Sequence, residues 1–427
     1  MIKKAFLGLS TPQISYQMLP VDLLQPDKIP TPEQITLFHS KNDALSVPSV
    51  LAIGDAVKTG QKLSLYPDQN DYVISPVTGR ISSLSPYTGD YTRNYIAITI
   101  KPDGNESIDD TFQKQIQSPT LALVCDYLKG APGNPPLNLL TESNGRIKTI
   151  VIRGLDPDPM VATSQYIAQS RMKELETGIR ILKEISDIQD IVLISAGESI
   201  QGYGHIGAQV KNVKTVYPAA LPHMVMKDVL GQVVPAGKTC EDLGVCFFTA
   251  EAVISIGSAF KSGQIPTTKI LTFIQKNGTR RIVEVPIGTT IAEILNAFGE
   301  TVNEFDRIIF GGPMTGSAVY SLEHPVQPDT DAVIVVDRDK AAYVSDYPCI
   351  NCGECVRICP AKMQVNMLVR YLEASRYEAA ADNYDLYSCI ECGLCAFVCV
   401  SKIPIFQYIK LAKYELERAK TLEAADA

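Results

Sequence analysis

Near the C-terminal end two stretches repeat one cysteine spacing, CINCGECVRICP (349–360) and CIECGLCAFVCV (389–400). Each sets four cysteines as C-x₂-C-x₂-C-x₃-C: Cys349, Cys352, Cys355 and Cys359, then Cys389, Cys392, Cys395 and Cys399. The spacing has a physical reading. A loop of C-x₂-C-x₂-C wraps three thiolates around one cubane cluster, and the fourth cysteine, on the following turn, points to the other cluster. Cys349, Cys352, Cys355 and Cys399 are therefore expected to ligate one [4Fe-4S] cluster, and Cys389, Cys392, Cys395 and Cys359 the second. Gly353 and Gly393 recur at the position where the backbone must turn tightly. Zinc ribbons use two cysteine pairs with a long gap, a different pattern. Cys125, Cys240 and Cys246 stand apart and read as small buried apolar residues.

The rest of the chain is too long for one core: 427 residues point to three or four domains. A formal charge of −8 argues against nucleic acid as the main partner and against a broad basic membrane face. No apolar run approaches the roughly 18 residues that cross a bilayer. The apolar part of MIKKAFLGLSTPQ is short for a signal peptide. A cytoplasmic protein is expected.

Residues 47–100 alternate short apolar stretches with turn signals at Gly54-Asp55, Thr59-Gly60, Pro67-Asp68 and Thr78-Gly79, the pattern of an all-β unit. Its GDAVKTGQ and SPVTGRI segments resemble barrel-sandwich domains of the biotinyl and lipoyl type. The stretch LYPDQNDY has no lysine where those domains carry a modified one, which favours a structural barrel over a swinging arm. KTIVIRG, a helical pattern over 160–186 and DIVLIS read as a strand–helix–strand unit. VKTVYP, a helical piece around Met224–Leu230, GVCFFTA and a helix near 249–262 continue an open α/β domain. KILTFIQKNG and RRIVEVPIG form a hairpin about Asn277-Gly278, followed by a short helix and two strands, a β-grasp-like unit. Asn366–Ala381 are expected as one helix between the quartets, and 405–420 as an amphipathic terminal helix that packs on its own domain.

Other motifs carry less. GYGHIG (202–207) matches G-x-G-x-x-G but lies too far from its strand, and a strand-like stretch follows it, so it reads as a chance match. GGPMTG (311–316) follows a strand and permits close backbone approach. His39, His205, His223 and His324 are dispersed, with His223 the one of interest beside YPAALP.

In order and motif (SPVTGRI, GQVVPAGKTCEDLGVCFFTAEAV, GGPMTG and the eight cysteines) the chain resembles RnfC, the peripheral subunit of Rnf-type membrane electron-transport complexes. LDPDPMVA, YPAALPHM and IKKAFLGLSTPQ are similar to NqrA, the A subunit of sodium-pumping NADH:quinone reductase. The resemblance implies a multidomain α/β protein: a barrel-sandwich domain (1–115), an α/β domain like a flavin/NADH-binding domain (118–266), a β-grasp domain of the SLBB type (267–338) and a helical two-cluster ferredoxin domain (339–427). It implies electron transfer within a membrane-associated complex, at the inner face of the membrane, with membrane subunits and a ferredoxin or other iron–sulfur protein as partners. It does not extend to the Gly-rich FMN and NADH loop: Gly130, Gly133 and Gly145 are isolated, and RGLDPDPM stands where a flavin-lining segment would be. Asp156, Asp158, Gly311 and Gly312 are the residues expected at any divergent nucleotide or flavin site. An NADH:acceptor oxidoreductase binding FMN there is the alternative.

Overall fold

The computed structural model describes residues 12–19, 25–40, 49–66, 71–89, 93–116, 119–197, 206–345 and 347–426. Pro67-Asp68 and most of GYGHIG lie outside these residues.

The first region is all β. After β1 (Asp27–Lys28) come β2 (Ile35–Ser40), β3 (Ala56–Val57), β4 (Lys62–Leu63), β5 (Val73–Ile74), β6 (Gly79–Thr88) and β7 (Asn94–Pro102). Strands β2, β7, β6 and β3 make an antiparallel sheet in that order, and β4 pairs with β5. Alternate residues Ile35, Leu37, Ile81, Ile98 and Ile100 fill its core. The helices α1 (Thr111–Gln115), α2 (Leu121–Leu128) and α3 (Leu137–Glu142) lead out of it.

The second region is a parallel sheet ordered β10-β9-β8-β11: β8 (Thr149–Arg153), β9 (Asp190–Ser195), β10 (Gln209–Asn212) and β11 (Val245–Thr249). Both faces are buried, which is why IVI and IVLI run as unbroken apolar stretches. Ile150, Ile152, Ile191 and Leu193 face α4 (Thr163–Ser170), α5 (Met172–Ser186) and α7 (Ala250–Ser262). Val151, Val192, Ile194 and Val245 face the opposite core, with α6 (Pro222–Asp228). The expected helix over 160–186 is two helices, broken at Arg171, whose φ of −118° and ψ of 38° leave the helical region. The strand beyond the glycine-rich stretch is Gln209–Asn212, and VKTVYP follows it as loop.

A third sheet, β1-β13-β12-β16-β14-β15, joins β12 (Thr268–Ile274), β13 (Arg280–Pro286), β14 (Arg307–Phe310), β15 (Ser317–Val319) and β16 (Ala332–Val336), with α8 (Ile291–Ala297) packed on it. Gly278 takes φ +86° at the expected turn. Two of its strands were not expected: β15 is only three residues long, and β1 arrives from the N-terminal stretch to pair in parallel with β13. Residues 12–19 leave the first region as well. Ser15 bridges Val216, and the Tyr16 amide donates to the Thr215 carbonyl at 3.0 Å. The expected unit 1–115 is thus divided, its first residues belonging to the second and third regions.

The last region holds α9 (Glu354–Ile358), α10 (Val365–Glu373), α11 (Tyr377–Tyr384), α12 (Leu394–Val398) and α13 (Ile405–Asp426). The helix expected over Asn366–Ala381 is two, because Ser375 turns left-handed at φ +54°. Ile405, Ile409, Ala412 and Leu416 bury the terminal helix against its own domain.

Candidate metal centre

The two cysteine loops share one local conformation. Asn351 and Glu391 take φ of +57° and +54°, Gly353 and Gly393 take +76° and +70°, and a five-residue helix follows each glycine. Side chains pin both loops. The Asn366 amide donates to Asn351 Oδ1 at 2.7 Å, and Lys413 Nζ donates to Glu391 Oε1 at 2.7 Å and the Cys389 carbonyl at 2.9 Å.

These loops bring the eight thiols together as two groups of four. A small cavity is lined by Cys349, Cys352, Cys355 and Cys399. Burial pushes the Cys355 thiol up to about 11, with Cys349, Cys352 and Cys399 adding to the shift. In the other group burial pushes Cys392 up to about 12, and Cys389 and Cys359 add to it. Cys395 is raised well above the ordinary thiol value by burial, then by Cys389, Cys392 and Cys359. The fourth cysteine of each quartet lies with the other three of its neighbour. Four neighbouring thiols, most of them buried or half-buried, suit a cationic iron core, which stabilises thiolates that burial alone disfavours. Backbone N–H groups of Val356, Glu391, Leu394 and Ala396 face thiols of the two loops and oppose the upward shift. No group of three or more His, Cys, Asp or Glu among the described residues is placed to hold a single metal ion.

The second group is roofed by the body. Ile358, Cys392 and Leu394 join the core beneath the parallel sheet, beside Tyr16, Tyr217 and Met226. The Tyr217 hydroxyl donates to the Cys392 carbonyl at 2.5 Å. A side chain on Gly393 would lie 2.5 Å from the Met314 carbonyl oxygen, so only glycine allows this approach. His223 is half-buried nearby, held below its usual value by burial and then by Lys413. Sequence reading missed Tyr16, Tyr217 and Met314 here. Tyr217 lies 175 residues from Cys392, and no local pattern connects them.

The expected nucleotide-site residues have other surroundings. Asp156 is fully buried and accepts from the Ser164 and Gln165 amides at 2.8 and 3.2 Å, capping α4. Asp158 Oδ2 accepts from the Met314 and Thr315 amides at 2.9 and 3.0 Å, while its Oδ1 has no hydrogen-bond partner. Burial is the main cause that lifts each carboxyl to about 6, against the lowering pull of these amides. Gly312 rests on the Asp158 carboxyl with no room for a side chain. Asp158, Gly311 and Gly312 line a cleft of about 410 Å³ with Phe310 and Arg93, and Asp156 is not among its walls.

In an open parallel sheet a ligand sits at the carboxyl ends of the strands where their order reverses, here between β8 and β11. The α7 side of that crevice is covered by the chain itself. Gly133, at φ +82°, lies on the first turn of α7 so closely that a side chain would overlap the Ala252 amide. Ser255 Oγ donates to the Pro132 carbonyl at 2.7 Å. Glu251, on the same turn, pairs with the fully buried Lys269 and accepts from the Ile270 amide at 2.9 Å. A cavity of about 780 Å³ between Phe38, Tyr72, Lys129 and Asn138 is lined by none of the eight cysteines.

Residues 342–403 match the family model of the 4Fe-4S dicluster domain, and residues 135–265 that of the NqrA second alpha/beta domain. The chain is similar to the C subunit of the ion-translocating oxidoreductase complex of Buchnera aphidicola, 25% identical over 376 residues, 84% of this chain and 79% of that protein. The corresponding protein of Pectobacterium carotovorum is 26% identical over 96% of this chain and 57% of its own length. That of Rhodobacter capsulatus is 23% identical over 83% of this chain and 73% of its own. Among solved structures, an NAD+-reducing [NiFe]-hydrogenase aligns with 74% of this chain and 69% of its own at 10% identity and a TM-score of 0.47. With an iron–sulfur domain behind an NqrA-type α/β domain, and with this likeness along most of its length, the chain is RnfC-like.

Proposed function

We propose that this protein is the electron-transfer subunit of an Rnf-type ion-translocating oxidoreductase complex, and that it relays single electrons through two [4Fe-4S] clusters. The observation that carries the reading is the crossed sorting of eight thiols into two groups of four. Cys349, Cys352, Cys355 and Cys399 would hold one cluster, and Cys389, Cys392, Cys395 and Cys359 the other. The clusters supply one-electron chemistry at potentials set by burial and hydrogen bonds to sulfur. The residues of the chain do the rest: amides of the loops face the thiols, and Tyr217 and Met314 keep water from the second group.

On this reading the upstream regions are a barrel-sandwich domain, a flavoprotein-like α/β domain and a β-grasp domain of the SLBB type, in the boundaries expected apart from the first residues. They serve as scaffold. A hydride brings two electrons, and a flavin is what divides them. The crevice between β8 and β11, its α7 side covered by Pro132-Gly133, favours a one-electron donor such as a ferredoxin over NADH. No described helix is long and apolar enough to cross a membrane. Membrane subunits of the complex would hold the protein at the inner face.

The test is made on protein purified without oxygen. Iron and sulfide in the amounts of two clusters are expected, with bleaching of the iron–sulfur absorbance by reduced ferredoxin and not by NADH. Stoichiometric FMN with bleaching by NADH would replace this reading with the NADH:acceptor oxidoreductase, its flavin in the cleft of Asp158, Gly311 and Gly312.

A further inference from the structure

The two cysteine loops have the same conformation and opposite surroundings. Around the second, Ile390 packs on the core of the body, Cys392 is 7% exposed, and Gly393 lies under the Met314 carbonyl. At the matching positions of the first loop, Ile350 is 67% exposed, Cys352 is exposed, and only the Arg357 guanidinium, 3.7 Å away, comes near a Cβ built on Gly353. The exposed face is continuous. The Ser345 amide donates to the Lys402 carbonyl at 3.0 Å, and Ser401 Oγ donates to the Pro348 carbonyl at 3.4 Å. Tyr343, Val344, Tyr347 and Ile350 thus run beside Val400, all exposed, and Ile350 and Val400 form walls of the cavity of the first thiols.

We infer that this face is the docking surface for a small acidic iron–sulfur protein that delivers one electron per encounter. The inference rests on the electron-relay reading above and names its point of entry. Three observations select the occupant. The twin face is covered by protein surface, so its shape accepts a backbone and side chains closing over a cysteine loop. An apolar patch of this extent beside polar residues marks an interaction site on a protein that must otherwise stay soluble. Two exposed cations, Lys402 and Arg370, stand at its edge on a chain of net charge −8. Glu354 is paired with Arg357, whereas Lys402 and Arg370 form no salt bridge among the described residues. Arg370 stands one helical turn beyond Asn366, itself a wall of the cavity. A small apolar contact flanked by opposite charge suits a transient electron-transfer encounter. In each encounter the reduced partner loses one electron and this protein gains it.

The experiment uses the full chain with its clusters, a small acidic ferredoxin as reductant and dithionite as a second reductant that needs no docking surface. Tyr347→Asp places like charge against the partner at a residue outside the cavity, and Lys402→Glu reverses the rim. Each is expected to slow reduction by ferredoxin about tenfold at low salt, with iron content, cluster spectrum and the dithionite rate unchanged. The wild-type rate should fall as salt rises, and Lys402→Glu should flatten that slope. Ferredoxin rates equal to wild type in variants with intact cluster spectra would overturn the surface and leave the relay standing. Wild-type protein without iron and sulfide would overturn the relay reading, and the surface with it.

Discussion

In the body the buried carboxylates of Asp156 and Asp158 each accept from two backbone amides, and Glu251 accepts from Ile270 while pairing with Lys269. In the C-terminal domain eight cysteines converge chiefly on one another. Carboxylates that accept from the chain's own backbone act as joints: Asp158 ties the loop after β8 to the segment 314–315, and Glu251 ties α7 to β12. Buried thiols gathered in this way would become thiolates only with a cation among them. On the proposed reading this difference separates scaffold from working part.

Three changes would break or sharpen that contrast. The largest effect is expected from Cys399→Ala. Although this residue belongs to the second quartet by sequence, its loss should remove the spectroscopic signal of the cluster held by Cys349, Cys352 and Cys355, and about half of the iron, leaving the other signal in place. Loss of the other signal would reverse the assignment.

Next comes Lys269→Ala, which leaves Glu251 buried without its cation. Burial already lifts that carboxyl to about 7 against the pull of Lys269. Removing one partner of a buried pair costs about 3–5 kcal/mol. A large fall in the denaturant midpoint is expected, with cluster spectra of the native species unchanged. A fall too small to measure would show that Glu251 is not confined as described.

The smallest effect is a pH dependence. The Asp158 carboxyl is raised from its ordinary range to about 6 by burial, so between about pH 4 and 6 the folded chain holds a proton that the unfolded chain releases. The stability from that proton is full at the lower end and lost as pH rises through about 6. Asp158→Asn keeps an acceptor for the Met314 and Thr315 amides and removes the titration. Relative to wild type, the variant should gain stability between pH 4 and 7, by on the order of 1–3 kcal/mol. Parallel curves from thermal unfolding at each pH would exclude Asp158 as the titrating group.

Much of this arrangement is legible along the chain. The cysteine spacing carries the crossed sorting of thiols because ligand geometry is local and repetitive. Alternation gives the β strands, and unbroken apolar runs give β8 and β9. What stays hidden depends on distance in sequence. Nothing in YPAALP shows that Tyr217 will close over Cys392, and nothing around Gly133 shows that it will occupy the α7 end of a ligand crevice. Short breaks are hidden as well: Arg171 and Ser375 divide helices whose apolar periodicity continues across them.

The N-terminal stretch has a consequence for how the chain comes apart. Residues 12–40 touch three regions in turn, through Ser15 and Tyr16, then β1, then β2. Tyr16 meets Tyr217 edge-on, with ring centres 6.0 Å apart, and its hydroxyl accepts from the Ala220 amide at 3.1 Å. A protease that trims the chain before residue 25 would unlatch that pair from a position distant in sequence from any cysteine. The first symptom would be neither unfolding nor release of a fragment. On the proposed reading it would be oxygen reaching the second cluster, as its roof of tyrosines loosens and a long-lived centre becomes a perishable one.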